Sequence, residues 1–183
     1  MIQGLASRSA YVVGVVLAWI FLYLFNYFVL SGVLFSSLAS LVFLPAMLRP
    51  IVVLLFGWSG VIGLFIGGLI TAYFDPVFQG SLVAINLISA SAGYFAIIFL
   101  RRFPTFATQL GPELAGLRLN TIFVVTLLTA SISSFSLNSF YASTGISTDI
   151  DQMFAMIVGD TLGSFIMLYL AAAGLRLLRR LAA

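Results

Sequence analysis

The chain has 183 residues, of which 62% are hydrophobic and only 7% charged, and its net charge is +3. A soluble domain carries roughly 25% charged residues, so the composition excludes a soluble protein, a disordered chain, a collagen and a disulfide scaffold. The chain contains no His and no Cys, which excludes zinc sites, iron–sulfur clusters, thiol nucleophiles and Ser-His-Asp triads. We therefore expect no catalytic residues and no metal site, and the composition specifies no cofactor.

Apolar runs along the chain mark candidate membrane spans, since a spanning helix needs about 20 apolar residues. The second run is broken by Pro45 and by the pair Arg49-Pro50, and the third ends at Asp75-Pro76 because proline cannot continue a helix. The sequence thus predicts an all-α integral membrane protein, a single transmembrane domain over 1–183 with six transmembrane helices. The six runs are 11–30, 33–56 (broken near Pro45-Pro50), 61–74, 81–100, 120–141 and 152–175.

The basic residues give the orientation, because positive charge at the ends of spans marks the cytoplasmic side. With six spans and both termini cytoplasmic, seven of the eight arginines lie inside, and Asp75, Asp149 and Asp151 lie outside. Five or seven spans would place an arginine cluster on the wrong side. We expect a multi-pass protein of the bacterial inner membrane, whose charge indicates topology and not nucleic-acid binding. The eight arginines are Arg8, Arg49, Arg101, Arg102, Arg118, Arg176, Arg179 and Arg180.

Small residues recur at four-residue spacing in two spans. Gly63 and Gly67 form a GxxxG pattern in the third span, and Gly159 and Gly163 form another in the sixth. Such pairs let helix backbones approach closely where hydrophobicity cannot drive association. We expect them to pack helices within the chain, with dimerisation as the alternative.

Hydroxyl and amide side chains follow one face of two spans. Two interpretations are open for these faces. The side chains satisfy nearby backbone carbonyls and make weak interhelical bonds, or they line a polar cavity open to the outside. The faces comprise Asn86 and Ser89 in the fourth span and Thr126, Thr129, Ser133 and Ser136 in the fifth.

Arg49 and Asp160 are the only charges well inside apolar runs. A charge at the centre of a bilayer costs about 2.5–3.5 kcal/mol on the gentlest scale, so such residues face protein or water and pair. We expect the two to meet between the second and sixth spans, where the proline break brings them level. The pair either fixes helix packing or coordinates a ligand. Alternatively, Arg49 contacts a partner or extends to the inner surface.

Four features resemble the bacterial membrane-associated sensor domains of the first type. A proline-led half helix begins near Pro45, a Gly57-Trp58 turn follows it, and the next span carries glycines at 60, 63, 67 and 68. Gly159-Asp160 matches the intramembrane Gly-Asp pair of that family. The resemblance implies a sensing membrane domain that acts on a diguanylate cyclase or histidine kinase module. Members of that family usually have more spans and an attached output module.

The span count is also similar to that of the substrate-binding S components of energy-coupling-factor vitamin transporters. Those proteins dock their coupling subunit through small residues in the first span, and here Ala10 and Gly14 have that spacing. This resemblance implies the ligand-binding subunit of a small-molecule transporter.

The sequence therefore predicts a non-enzymatic membrane module for sensing or ligand binding that works through a partner chain. The alternatives are an S-like transporter subunit and an accessory subunit packed against a larger membrane complex. The partners expected are the lipid bilayer, a membrane protein and, where a ligand exists, a small molecule.

Overall fold

The computed structural model describes residues 2–30, 32, 34–36, 39–74, 81–111, 118–146 and 149–181. Asp75 and Pro76, which the sequence predicts at the end of the third span, lie outside the described residues. The described part is predominantly helical, as the sequence predicts. Its helices are α1 (Ile2–Leu30), α2 (Leu48–Phe56), α3 (Trp58–Tyr73), α4 (Leu82–Leu100), α5 (Pro104–Ala107), α6 (Leu119–Ser143) and α7 (Ile150–Leu181).

Four helices among the described residues are long and apolar enough to cross a membrane, namely Arg8–Leu30, Leu82–Leu100, Leu119–Ser143 and Ile150–Leu170. The second and third of the six expected spans correspond to shorter apolar helices, Leu44–Phe56 and Trp58–Tyr73. These two helices are short for different reasons. α3 is a continuous helix of 16 residues, whereas the second run is helical only in its later part.

The break in the second run lies before Pro45 and not between Pro45 and Pro50. Two very short antiparallel strands come first, β1 (Leu34–Ser36) and β2 (Ala39–Ser40). Non-helical backbone continues to residue 43, and a 3-10 turn, Leu44–Met47, then leads into α2. The run is therefore not a straight helix, as the sequence predicts, but its helical part begins beside Pro45 and is not divided between Pro45 and Pro50. Pro45 occupies the start of the 3-10 turn, where a missing N–H costs least, so the proline begins the helical segment.

Contacts between neighbouring helices show how they run relative to one another. α1 and α3 run parallel, since Val15 faces Gly63 and Trp19 faces Gly67. Three other neighbouring pairs run antiparallel, each shown by two contacts at different levels of the pair. These contacts are Tyr11–Phe56 and Asn26–Leu44 for α1 with the 44–56 segment, Trp58–Tyr94 and Gly68–Asn86 for α3 with α4, and Phe123–Phe165 and Asn138–Met156 for α6 with α7.

Two glycines hold α2 in the middle of the bundle. A Cβ at Gly60 of α3 would overlap the carbonyl of Val52, and one at Gly93 of α4 would lie 2.7 Å from the carbonyl oxygen of Arg49. The backbone of α2 is therefore in direct contact with both neighbouring helices. The main hydrophobic core surrounds it and includes Val15, Trp19, Leu48, Val52, Val53, Leu64, Ile97 and Val125.

Candidate functional site

Arg49 and Asp160 form an ion pair in the interior, as the sequence predicts. The guanidinium Nη1 of Arg49 contacts Oδ2 of Asp160, and the two side chains are only 7% and 10% exposed. No other charged side chain that the structure describes is buried. α2 lies between α3 and α4 and begins at Leu48. Arg49 is therefore in its first turn, opposite the middle of the apolar part of α7, Ile150–Leu170.

Two aromatic rings and a hydroxyl complete the surroundings of the guanidinium. Nη1 of Arg49 donates a second hydrogen bond to Oγ of Ser133, at 3.4 Å. The guanidinium carbon lies 6.0 Å from the ring centroid of Trp19 and 5.6 Å from that of Phe43, which is within the range of cation–π attraction. The Nε of Arg49 is buried without a hydrogen-bond partner in the protein.

Trp19 is fixed by α3. Its Nε1 donates a hydrogen bond of 3.1 Å to Oγ1 of Thr71, and that hydroxyl in turn donates to the carbonyls of Gly67 and Gly68. The ring lies directly against Gly67, where a Cβ would come 3.0 Å from the Trp19 side chain. The predicted packing role of Gly67 therefore includes positioning one wall of the Arg49 site.

Phe43 is fixed by backbone hydrogen bonds of the non-helical segment. The N–H of Phe43 donates to the carbonyl of Gly159, at 3.0 Å, and the N–H of Leu44 donates to Oδ1 of Asn26, at 2.9 Å. Buried backbone groups must find partners, and at membrane depth non-helical backbone is tolerated only inside protein or beside a cavity. Asn26 and α7 thus hold this part of the broken run in the interior.

The two GxxxG patterns have different contacts. Gly63 and Gly67 pack against Val15 and Trp19 of α1, which is the helix packing expected from the sequence. Gly159 and Gly163 instead pack against the non-helical backbone before α2. A Cβ at Gly159 would overlap main-chain atoms of Ser40, and one at Gly163 would overlap those of Phe43. All four glycines make these contacts within the chain.

The structure brings one of the six predicted polar residues, Ser133, to the ion pair. Thr129 donates to the carbonyl of Val125, at 2.7 Å, and Asn86 donates to that of Leu82, at 2.8 Å, as the packing interpretation expects. The remaining three lie at different depths from solvent: Ser89 and Thr126 are buried, whereas Ser136 is partly exposed. Thr126 Oγ1 is buried without a partner in the protein.

Trp19, Phe43 and Asn26 belong to the surroundings of Arg49, which the sequence does not predict. Asn26 carried a detectable signal, since it alone interrupts the first apolar run. The aromatic residues carried none, because the chain contains 18 Phe and 2 Trp and nothing in the sequence separates Trp19 and Phe43 from the others. Their role depends on tertiary contacts.

The chemistry of the arrangement is that of charge recognition. Arg49 presents a planar donor group that suits carboxylates and phosphates, and Asp160 occupies one of its donors. No group of three His, Cys, Asp or Glu side chains that could hold a metal ion occurs among the described residues. No family model, no curated protein and no solved structure matches the chain.

Proposed function

We propose that the chain is a multi-pass protein of the bacterial inner membrane that crosses it six times with both termini in the cytoplasm. The helix directions support this arrangement, since successive long segments alternate. Residues 39–43 advance about 3.3 Å each when extended. With the 13 helical residues that follow, the second segment reaches up to about 38 Å, enough for a hydrocarbon core of about 30 Å.

Single cysteines test the topology, because the natural chain contains none. We expect a cysteine at Thr144, at the exposed end of α6, to react with an impermeant reagent added outside. A cysteine at Arg102, exposed beyond α4, should react only after the inner side is opened. Labelling of both positions from the same side would contradict the six-span arrangement.

The function that we propose is a non-enzymatic sensing or ligand-binding module that acts through a partner chain. The observation that carries it is the Arg49–Asp160 pair, which joins the first turn of the short helix α2 to the long continuous helix α7. α7 has 32 residues, or about 48 Å at 1.5 Å per residue, and so extends well beyond a membrane core of about 30 Å. A change at Asp160 would be carried along α7 toward its C-terminal end, where a partner could respond.

The ligand that fits this pair is a small anion with a carboxylate or phosphate group. Such a group would compete with Asp160 for Arg49 and occupy donors that the carboxylate leaves free, including the buried Nε. Binding would therefore separate α2 from α7. A ligand shifts an equilibrium only through such a difference in contacts between two states.

Native mass spectrometry of the protein in nanodiscs tests this proposal. We expect a retained small-molecule mass in the wild type, higher occupancy in Asp160→Asn, where the competing charge is gone, and loss in Arg49→Gln. Arg102→Gln removes an exposed charge and serves as the control, with occupancy like the wild type. An unchanged mass in Arg49→Gln, or no bound molecule in any folded variant, would contradict ligand binding at Arg49.

Two observations support the alternatives. Gly14 on α1 is exposed, has no atom within 4 Å of where a Cβ would lie, and is near the exposed Ala10, which fits the docking face of an S-like transporter subunit. α1 also exposes Leu17, Phe21 and Phe28, which fits an accessory subunit against a larger complex. The same spectra separate the three functions by partner mass: a kinase or cyclase, an ATPase pair with a coupling subunit, or a larger assembly.

A further inference from the structure

A row of buried polar side chains between α6 and α7 has unpartnered atoms. Its members are Ser134 and Asn138 on α6 and Gln152 on α7, which we call the polar file. Ser134 Oγ, Asn138 Oδ1 and Gln152 Nε2 are all buried without a hydrogen-bond partner in the protein. Each of the three residues is more than nine-tenths buried.

The polar file leads to the ion pair. On α7, Gln152, Met156 and Asp160 are four residues apart and share one face of the helix. Gln152 is thus about 12 Å along the axis from Asp160. Met156 lies between them and accepts a hydrogen bond of 3.3 Å through its sulfur from Asn138 Nδ2. On α6, Ser134 is one helical turn from Asn138 and adjacent to Ser133, which contacts Arg49.

The other end of the polar file is near solvent. Gln152 lies in the first turn of α7, where its N–H donates a 2.6 Å hydrogen bond to Asp149. Asp149, Ile150 and Asp151 are exposed. The file therefore runs from the exposed α6–α7 end of the bundle to the buried carboxylate of Asp160. Thr126, another buried hydroxyl without a partner, lies two turns beyond Ser133 and so on the far side of the pair.

The unpartnered atoms identify the occupant. A buried polar atom without a partner costs about 1–3 kcal/mol, and the three residues are spread along about 12 Å of the helix axes. Gln152 Nε2 is a donor, Asn138 Oδ1 an acceptor and Ser134 Oγ both. A cation would leave the donor unsatisfied and an anion would leave the acceptor unsatisfied. Water donates and accepts, and buried waters typically bond two to four polar groups.

We propose that the polar file holds a chain of ordered water molecules that joins the α6–α7 end of the bundle to the Arg49–Asp160 pair. The water chain gives small hydrated species a route to Asp160 from that end of the bundle. This inference stands without the proposed function. Where the pair is a sensing element, the water chain is its access route.

Silver ions test the proposal, because they are small and react with cysteine thiolates only where water reaches. Cysteines are placed singly at Ser134, Asn138 and Gln152, and at Ala92 as a control. Ala92 is buried on α4 beside Gly93, which contacts Arg49, and is therefore at the depth of the ion pair. Vesicles are treated with silver from one side, and thiols that remain are then counted with a fluorescent maleimide after unfolding in detergent.

We expect the three polar-file cysteines to react at least about tenfold faster than the one at Ala92. They should do so from the side on which a cysteine at Thr144 is labelled. Ser134→Cys exchanges a single atom, so it decides the test where a larger change disturbs the fold. Reaction at Gln152→Cys without reaction at Ser134→Cys, or rates equal to that at Ala92→Cys, would overturn the proposal. A failed search for a bound anion would leave this result unaffected.

Discussion

Replacing Arg49 by alanine is expected to lower the free energy of unfolding by about 3–5 kcal/mol, since the change leaves the buried carboxylate of Asp160 without its cation. The variant also loses the hydrogen bond to Ser133 and the contacts with Trp19 and Phe43. The measurement is reversible unfolding in mixed micelles. Arg102→Ala removes an exposed arginine and is expected to change stability by less than about 0.5 kcal/mol.

A double-mutant cycle separates the pair from its surroundings. Arg49→Ala combined with Asp160→Asn should be more stable than Arg49→Ala alone, because the uncompensated charge is gone. Residues in contact typically show coupling of about 0.5–3 kcal/mol. Additive losses would mean that the two charges do not interact in the folded protein.

A second double variant tests why the pair exists. Replacing both partners of a buried ion pair by apolar residues of similar volume is often neutral or stabilising. A stable Arg49→Met, Asp160→Leu double variant that retains no small molecule would therefore assign the pair to ligand binding. A double variant that is as unstable as Arg49→Ala would assign it to holding α2 against α7.

The meeting of Arg49 and Asp160 was predictable because they are the only charges well inside the apolar runs. Two opposite charges within apolar runs, each too costly to leave alone, must pair unless one of them reaches water. The same cost argument applies to Ser133 and Thr129 only weakly, because hydroxyls can bond to carbonyls of their own helix. Which hydroxyl would reach Arg49 was therefore undetermined.

The position at which the helix of the second apolar run begins was harder to predict. Pro45 and Pro50 mark a place where a straight helix is costly, but they do not say whether the helix kinks there or begins there. The structure begins it at Leu44, because α7 supplies partners for the preceding backbone: Gly159 accepts from Phe43 N–H. That partnership joins residues far apart in sequence, so no local pattern reveals it.

Substitution of Gly159 by alanine is expected to destabilise the fold strongly, by about 2 kcal/mol or more. A Cβ at this position would overlap the carbonyl of Ser40, and backbone cannot turn aside as a flexible side chain can. Overpacking of a filled interior costs about 1–3 kcal/mol, and moving residues 40–43 would also break the hydrogen bond from Phe43 to Gly159.

Gly14 provides a matched control for Gly159 because it is also helical but has no atom within 4 Å of the Cβ position. Gly14→Ala should raise stability slightly, by up to about 1 kcal/mol, since alanine favours the helix more than glycine does. The two changes thus have the same chemistry and opposite expected signs, and unfolding in mixed micelles measures both. Equal effects would mean that the non-helical segment does not lie against α7. Phe43 would then lose the support that places its ring over Arg49.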